Sequence, residues 1–524
     1  MEAGAGDATA QEWAMQRMSA QDAMFLYIED SNNPMHIGSV AMFEGPPPRY
    51  GDLIRMVARK IHLVPRYRQR VRFVPFQLAR PVWADDPYFR LQYHIRHTAV
   101  PPPGGDDEVR NLAGRLMAQP LDRERPLWEI WMVEGLADGR WALVCKTHHC
   151  MVDGVAGTDL LSVIFDHSPH PRVGREVPWE PAREPGELRL ATEAAVDRLV
   201  EPLRHLGALQ PIVRAPLRDP QRALDLISGL ADTWLRPRRT PPPLNGAIGP
   251  HRRWTWIKGS LAEFREIRRT LGGTVNDIVL AAVTEGFREL LVNRGEPLDG
   301  RTVRTLVPVS VRSEAERNVL NNRVSGLLVD LPIDEADPVR RLAALSGTMR
   351  ALKESGQAEA GDFVVGLVDL VPALTLAIAG RLGVGAPQRL VQTITTNVPG
   401  PQTPLYVGGR RLLAYYPYVP IGGSLRLNVA IISYVGELSF GVTGDYDSVP
   451  DLDVFCAGLE KGMAELVSTA RRRTRPVRRA TRLPAVAVDG AHPAPREAVR
   501  AAASGGQDGI QPLRHPAAVR RTAS

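Results

Sequence analysis

The stretch KTHHCMVDG, Lys146 to Gly154, brings His148, His149, Cys150 and Asp153 within six residues. These side-chain types can hold a metal, activate a nucleophile or move a proton. In an extended segment successive side chains point to opposite faces, so one histidine faces a site while the other packs behind it. A metal centre fits poorly, because structural zinc takes four tetrahedral ligands, usually as two spaced pairs, and no second Cys or His pair stands at comparable spacing. Covalent catalysis fits poorly as well. Cys150 follows His149 directly and so faces away from it, and no G-x-S-x-G elbow occurs, GGSLR at Gly422–Arg426 being a near miss. Two readings stay open: a pair of core histidines, and general-base chemistry in which a neutral imidazole takes a proton from a hydroxyl that attacks an acyl group. In the second, Asp153 holds the turn through a buried cationic partner, since an unpaired buried carboxylate is costly. Gly154 has no side chain and lets the following turn approach closely.

The surrounding pattern sets this motif on a strand-to-helix turn. RWALVCKTHH reads as a strand ending at the histidine pair, and VAGTDLLSVIFD as a helix burying Leu160, Leu161 and Ile164. Upstream, SAQDAMFLYIED is a helix with Ser19 as cap and Asp22 at the capping-box position, and HIGSVAMFEG and WEIWMVEGL are strands. From Pro169 to Pro250 the composition turns Pro-rich and polar, then shows two amphipathic helical patterns: Val196, Leu199, Val200, Leu203 and Leu206, and Leu224, Ile227, Leu230 and Trp234. This is a crossover between halves. The second half reads as strand HRRWTWIKG, helices LAEFREIRRTLG and NDIVLAAVTEGFRELLVNRG, strands TLVPVSVR and VSGLLVDLPI, then TITTNVPGP, LNVAIISYVGELSFGVTGDY and a helix from Leu452 to Thr469. Strands and helices mixed in both halves predict α/β or α+β layers. FVVGLVDLVPALTLAIAG, Phe363–Gly380, has the length of a minimal membrane span, but Asp369 and Pro372 in its middle favour a buried or interfacial segment.

The chain's 524 residues suit two domains. Its net charge of +7 is unevenly placed: residues 1–470 hold 53 basic and 55 acidic groups, and the remainder carries a net +9. That arginine-rich end, poor in large apolar residues, reads as a disordered tail suited to an anionic surface or to solvation. Three cysteines give no disulfide framework and the first eighteen residues no signal-peptide pattern, so a cytoplasmic protein with reduced thiols is expected. The boundaries that follow are a flexible 1–18, a first lobe 19–170, a helical crossover 171–250, a second lobe 251–470 and a tail 471–524.

HHCMVDG resembles the HHxxxDG signature of CoA-dependent acyltransferases and condensation domains. SAQDAMFLYIED, NPMHIGS, RPLWE (Arg125–Glu129), LNGAIGPHRR (Leu244–Arg253), TVNDIVLAAV (Thr274–Val283), VPVSVR (Val307–Arg312), NNRVSGLLVDLP (Asn321–Pro332) and TTNVPGP (Thr395–Pro401) follow in an order that resembles the bacterial wax ester synthase/diacylglycerol acyltransferase family. The resemblance implies two similar chloramphenicol-acetyltransferase-like lobes with a substrate tunnel between them. It implies a general base at His149 with His148 supporting the site, and Asp153 and Gly154 as structural residues, Asp153 pairing with Arg312. Asn276 and Asp277 match a motif at the tunnel, where Asn276 would help to stabilise an oxyanion; Pro126, Leu127 and Trp128 would support the lobe or the acceptor channel. No metal or cofactor is implied. The partners would be acyl-CoA as co-substrate and diacylglycerol or a long-chain alcohol as acceptor, with peripheral contact to the inner membrane or lipid droplets through the basic tail and no nucleic acid. Acylation of a polyketide or sugar hydroxyl, and a lipid-binding protein without turnover, are the alternatives. Cys150 departs from the small residues common at its position, which raises the question of whether its thiol perturbs the base.

Overall fold

A computed structural model of the chain describes residues 16–151, 163–171, 174–196, 244–310, 324–354, 374–375, 377–378 and 390–474. Two six-stranded mixed sheets organise it. In the first half, β1 (Gln16–Arg17), α1 (Ala20–Ile28), β2 (His36–Phe43), α2 (Tyr50–Ala58), β3 (Gln69–Arg72), β4 (Val82–Asp85), α3 (Leu91–His94), β5 (Ile95–Ala99), α4 (Asp106–Ala118), β6 (Trp128–Glu134) and β7 (Trp141–His148) follow one another. The second half supplies β8 (Arg252–Ser260), α5 (Leu261–Leu271), α6 (Val275–Asn293), β9 (Val303–Ser310), β10 (Val324–Leu331), α7 (Pro338–Glu354), β11 (Thr393–Val398), β12 (Tyr406–Val407), β13 (Arg410–Tyr418), β14 (Leu427–Tyr434), β15 (Glu437–Asp445) and α8 (Leu452–Thr474).

The sheets do not follow the halves of the chain. The first runs β12-β13-β2-β7-β6-β5 and the second β10-β9-β11-β14-β15-β8, so a hairpin from the second half completes the first sheet. A separate small sheet pairs β1, β4 and β3. The pairs β5/β6, β9/β11 and β11/β14 are parallel, and the rest of the two large sheets is antiparallel.

Burial follows the residue pattern. All eight residues of β14, LNVAIISY, are buried, as expected of a central strand covered on both faces. Phe264, Phe287, Phe440 and Phe455 form the second-sheet core with β14, α5, α6 and α8 around them. Phe43, Trp128, Trp141 and Leu26 centre the first-sheet core. A third cluster joins the halves: Val109, Ala113 and Met117 of α4 lie with Val40, Met42 and Val144 of the first sheet and with Trp254, Trp256 and Tyr416. There backbones come close. A Cβ on Gly441 would meet the Pro417 carbonyl at 1.7 Å, so only glycine lets β15 cross β13.

The strands and helices read from the sequence are found at HIGSVAMF, WEIWMVE, WALVCKTH, the β8 to β11 regions and the two helices after β8. Ser19 caps α1 by accepting from the Asp22 amide at 3.1 Å. LNVAIISYVGELSFGVTGDY is two strands, turned at Val435 and Gly436, both with positive φ. The last helix continues past Thr469 to Thr474, because Arg471 pairs with Glu263 of α5 at 2.7 Å and basic residues complement a helix C-terminus. Of the helix expected after the histidine motif, Ile164 is buried and residues 155–162 lie outside the described residues. The same holds for nearly all of the crossover helices and of Phe363–Gly380, and for the tail after Thr474. Among the described residues no helix is long and apolar enough to cross a membrane.

Candidate active site

β7 delivers the histidine pair. Its last residue, His148, lies directly opposite His36 of β2, and both are fully buried. His149 opens a short 3-10 turn, His149–Met151, and remains part-exposed. Backbone bonds fix the bend: the His148 amide donates to Leu127 O at 2.9 Å and the His149 amide to Met35 O at 2.8 Å. The two rings therefore leave the strand into different surroundings, as alternation requires.

Behind the pair is a buried polar cluster. The Cys150 amide donates to His148 Nδ1 at 3.1 Å, which leaves Nε2 as the proton-bearing nitrogen, and Nε2 faces Glu29 Oε1 at 3.4 Å. At that length the two atoms face one another without a formed hydrogen bond. Glu29, at the end of α1, also accepts from the Met35 amide at 3.0 Å and from Arg123 at 2.7 and 3.0 Å. Burial disfavours its charge, yet His148, Arg123 and that amide together pull its carboxyl down to about 2. Next to it Lys146 and His36 close the C-terminus of α4: Lys146 Nζ donates to Leu116 O at 3.0 Å and to Gln119 O, and His36 Nε2 meets Met117 O at 2.6 Å. Carbonyls at a helix end need such partners. Burial lowers Lys146 to about 8 and His36 well below the usual histidine value.

His149 has another environment. Its ring stacks on Phe25 of α1, centroids 3.9 Å apart and planes 18° from parallel. Burial first, and the neighbouring His148 second, lower its pKa to about 4. Nδ1 is buried without a hydrogen-bond partner. The ring is therefore neutral near pH 7 with one of its own nitrogens unpaired, the form from which a general base starts, while the same burial weakens its hold on a proton.

Cys150 is buried, with Sγ 2.9 Å from His148 Nδ1, and burial together with the carboxylates of Asp22 and Glu29 raises its thiol well above the usual value. Its contact is with the supporting histidine. Trp128 of RPLWE is fully buried, donates from Nε1 to Tyr67 O at 2.8 Å and stacks on His94 at 4.5 Å.

Asn276 and Asp277 stand in the first turn of α6. Asp277 makes a reciprocal capping box with Thr274, donating its amide to Thr274 Oγ1 at 3.2 Å and accepting the Thr274 amide at 2.8 Å. Its second oxygen, Oδ1, is buried without a partner. Asn276 Oδ1 accepts from Asn397 Nδ2 at 3.4 Å, which joins the TVNDIV and TTNVPGP segments. Among the described residues no hydrogen bond links this group to the histidines. Asp153, Gly154 and Arg312 lie outside the described residues. Glu29, Phe25 and Arg123 are the site residues that sequence reasoning missed. The available signal was spacing: Phe25 and Glu29 are four residues apart on one helix and so share a face.

Residues 18–279 match the wax ester synthase/diacylglycerol acyltransferase catalytic domain, and residues 320–467 match the WS/DGAT C-terminal domain. A Mycobacterium tuberculosis protein named as the probable diacylglycerol O-acyltransferase tgs1 is 37% identical over 461 residues, 88% of this chain and 97% of the relative. Another from the same species, named tgs2, is 30% identical over 465 residues, 86% of this chain and 99% of the relative. The solved wax ester synthase/diacylglycerol acyltransferase from Marinobacter aquaeolei VT8 superposes with a TM-score of 0.63 at 26% identity, covering 87% of this chain and 100% of that one. The first condensation domain of the calcium-dependent antibiotic synthetase, 18% identical with a TM-score of 0.55 over 86% of this chain and 96% of its own, shares the fold.

Proposed function

The chain belongs to the wax ester synthase/diacylglycerol acyltransferase family, and from that premise we propose that it moves a fatty acyl group from acyl-CoA to the hydroxyl of diacylglycerol, and to long-chain alcohols, with His149 as general base. The observation that carries this is the state of His149: a neutral, part-exposed imidazole at a strand end, braced by Phe25, with a charged cluster behind its neighbour.

The chemistry needs no acyl-enzyme. His149 takes the acceptor's hydroxyl proton as the oxygen attacks the thioester carbonyl. The tetrahedral oxyanion collapses, the carbon–sulfur bond breaks, and the imidazolium returns its proton to the departing thiolate of coenzyme A. Asn276 is the residue we assign to the oxyanion, as a preorganised donor. His148 holds the turn through Cys150 and Glu29, and Asp153, Gly154 and Arg312 are assigned to shaping it. Acyl-CoA is a co-substrate and no cofactor takes part. The nine arginines after Thr474 would bring the chain to the inner membrane or a lipid droplet, at roughly 1 kcal/mol for each basic residue near an anionic surface.

The test is release of coenzyme A from palmitoyl-CoA with dioleoylglycerol or hexadecanol as acceptor, with lipid products identified. The parent should form ester only with acceptor present, and His149→Ala should lose about 10²- to 10⁴-fold, the usual weight of general-base catalysis. A folded parent that esterifies neither acceptor would transfer support to a specialised hydroxyl or to lipid binding without turnover.

A further inference from the structure

The tip between β3 and β4 exposes apolar surface that the reaction does not use. Phe76 is 89% exposed and Phe73 39%. Phe76 and Gln77 hold φ of 53° and 52°, two successive non-glycine residues in the left-handed region. Such backbone is costly for residues with side chains and persists where its surroundings impose it. Here it turns a phenylalanine outward. Between Asp52 and Asp85 the chain has eight lysines and arginines and no acidic residue; carboxylates from outside that stretch pair with four of them, Asp52 with Arg55, Asp166 with Lys60 and Glu184 with both Arg70 and Arg72, which leaves a positive balance. Arg66 and Arg68 lie over the rings of Trp83 and Trp179. An apolar tip on a basic base matches a surface that is anionic outside and apolar within.

We propose that the β3–β4 tip is a lipid-surface wedge, with Phe76 and Phe73 entering the acyl region of an anionic bilayer while the basic stretch that flanks them faces the headgroups. This rests on the reading that the acceptor is a neutral lipid, which has to be reached from such a surface. It also places contact on a folded element of the first half, separate from the arginine-rich chain end.

Position 76 allows a discriminating substitution. Its positive φ suits glycine, so Phe76→Gly removes the ring and leaves the melting temperature equal or higher. The full-length parent and variant would be sedimented with phosphatidylcholine vesicles, with and without phosphatidylglycerol. On anionic vesicles Phe76→Gly should bind at least about tenfold more weakly, the scale of one buried aromatic ring, and Phe76→Trp should bind as well as the parent. A Phe76→Cys variant on a Cys456→Ser background, carrying an NBD label, should shift its emission to the blue on those vesicles and be quenched by acyl-chain doxyl lipids. An unshifted label on vesicle-bound protein, or a Phe76→Gly variant that binds like the parent, overturns the wedge and assigns binding elsewhere. Since vesicle binding requires no turnover, either result leaves the acyl-transfer assignment to its own assay.

Discussion

Neutrality at pH 7 is the property the proposed base, His149, requires, and its surroundings supply it. Burial and the nearby His148 lower its pKa to about 4, so the base form persists as pH falls through the ordinary histidine range. The acid limb of kcat/KM should therefore sit near about pH 4, well below the roughly 6.5 of a solvated imidazole. Phe25→Ala admits water to one face of the ring, and its limb should move up toward that value with a lower kcat. A parent limb already near 6.5, measured over a range where the fold is intact, would refute the burial argument. Glu29 runs in the same direction: depressed to about 2, it stabilises the fold above its unfolded value near 4.3, and that contribution is lost as pH falls through about 2. Chemical denaturation between pH 5 and pH 3 should show the parent losing stability more steeply than Glu29→Gln. The question raised by Cys150 has a physical answer of the same kind. Its thiol is buried and held protonated, so Ellman's reagent should leave it unlabelled until the protein unfolds. The pair itself was legible as a strand-end motif. The weight of Glu29 was not, because its neighbours Arg123 and His148 lie 94 and 119 residues away in sequence.

At the scale of elements, local rules decided what could be read. α6 was legible over NDIVLAAVTEGFRELLVNRG from its hydrophobic periodicity, and the structure adds the capping box of Thr274 and Asp277 that fixes its start. That box also clarifies Asp277: one carboxylate oxygen is committed to the cap, so its substitution tests stability before it tests the reaction. Thr274→Ala should cost about 1 kcal/mol, read as a lower denaturation midpoint, with the affinity for acyl-CoA changed only if the α6 N-terminus moves. β13 was missed for a definite reason. RRLLAYYPY contains Pro417, and proline argues against an interior strand. The strand tolerates it because β12 pairs only with Arg410 and Arg411, so among the described residues no strand on that side calls for an amide hydrogen from position 417. The β14–β15 turn was missed because a valine, Val435, occupies a positive-φ position where Asn or Gly is the usual signal.

The whole molecule depends on what that hidden strand does. β13 pairs with β2 from Leu412–Phe43 to Tyr418–Gly38, and β2 in turn carries His36 opposite His148. The sheet that presents the histidine pair is therefore completed from residues almost 270 positions further along the chain. Trp254 Nε1 donates to Pro417 O at 3.2 Å, and β15 crosses β13 at Gly441, so the second half grips the strand that it lends. Gly441→Ala would drive a Cβ into the Pro417 carbonyl, and it should destabilise the whole protein and not the second sheet alone. A stronger expectation concerns the halves. Residues 1–243 expressed alone would leave the β2 edge unpaired and strip Trp254, Trp256 and Tyr416 from the apolar cluster of Val40, Met42 and Val144, an arrangement prone to edge pairing. That fragment should aggregate or unfold without cooperativity, and co-expression with residues 244–524 should recover a soluble complex with acyltransferase activity. If residues 1–243 instead unfold as a monomeric cooperative domain, β13 is a dispensable cover. The site would then be organised by α1 and β7 alone, and substitutions at Gly441 and Pro417 should leave the pH profile of His149 where it is.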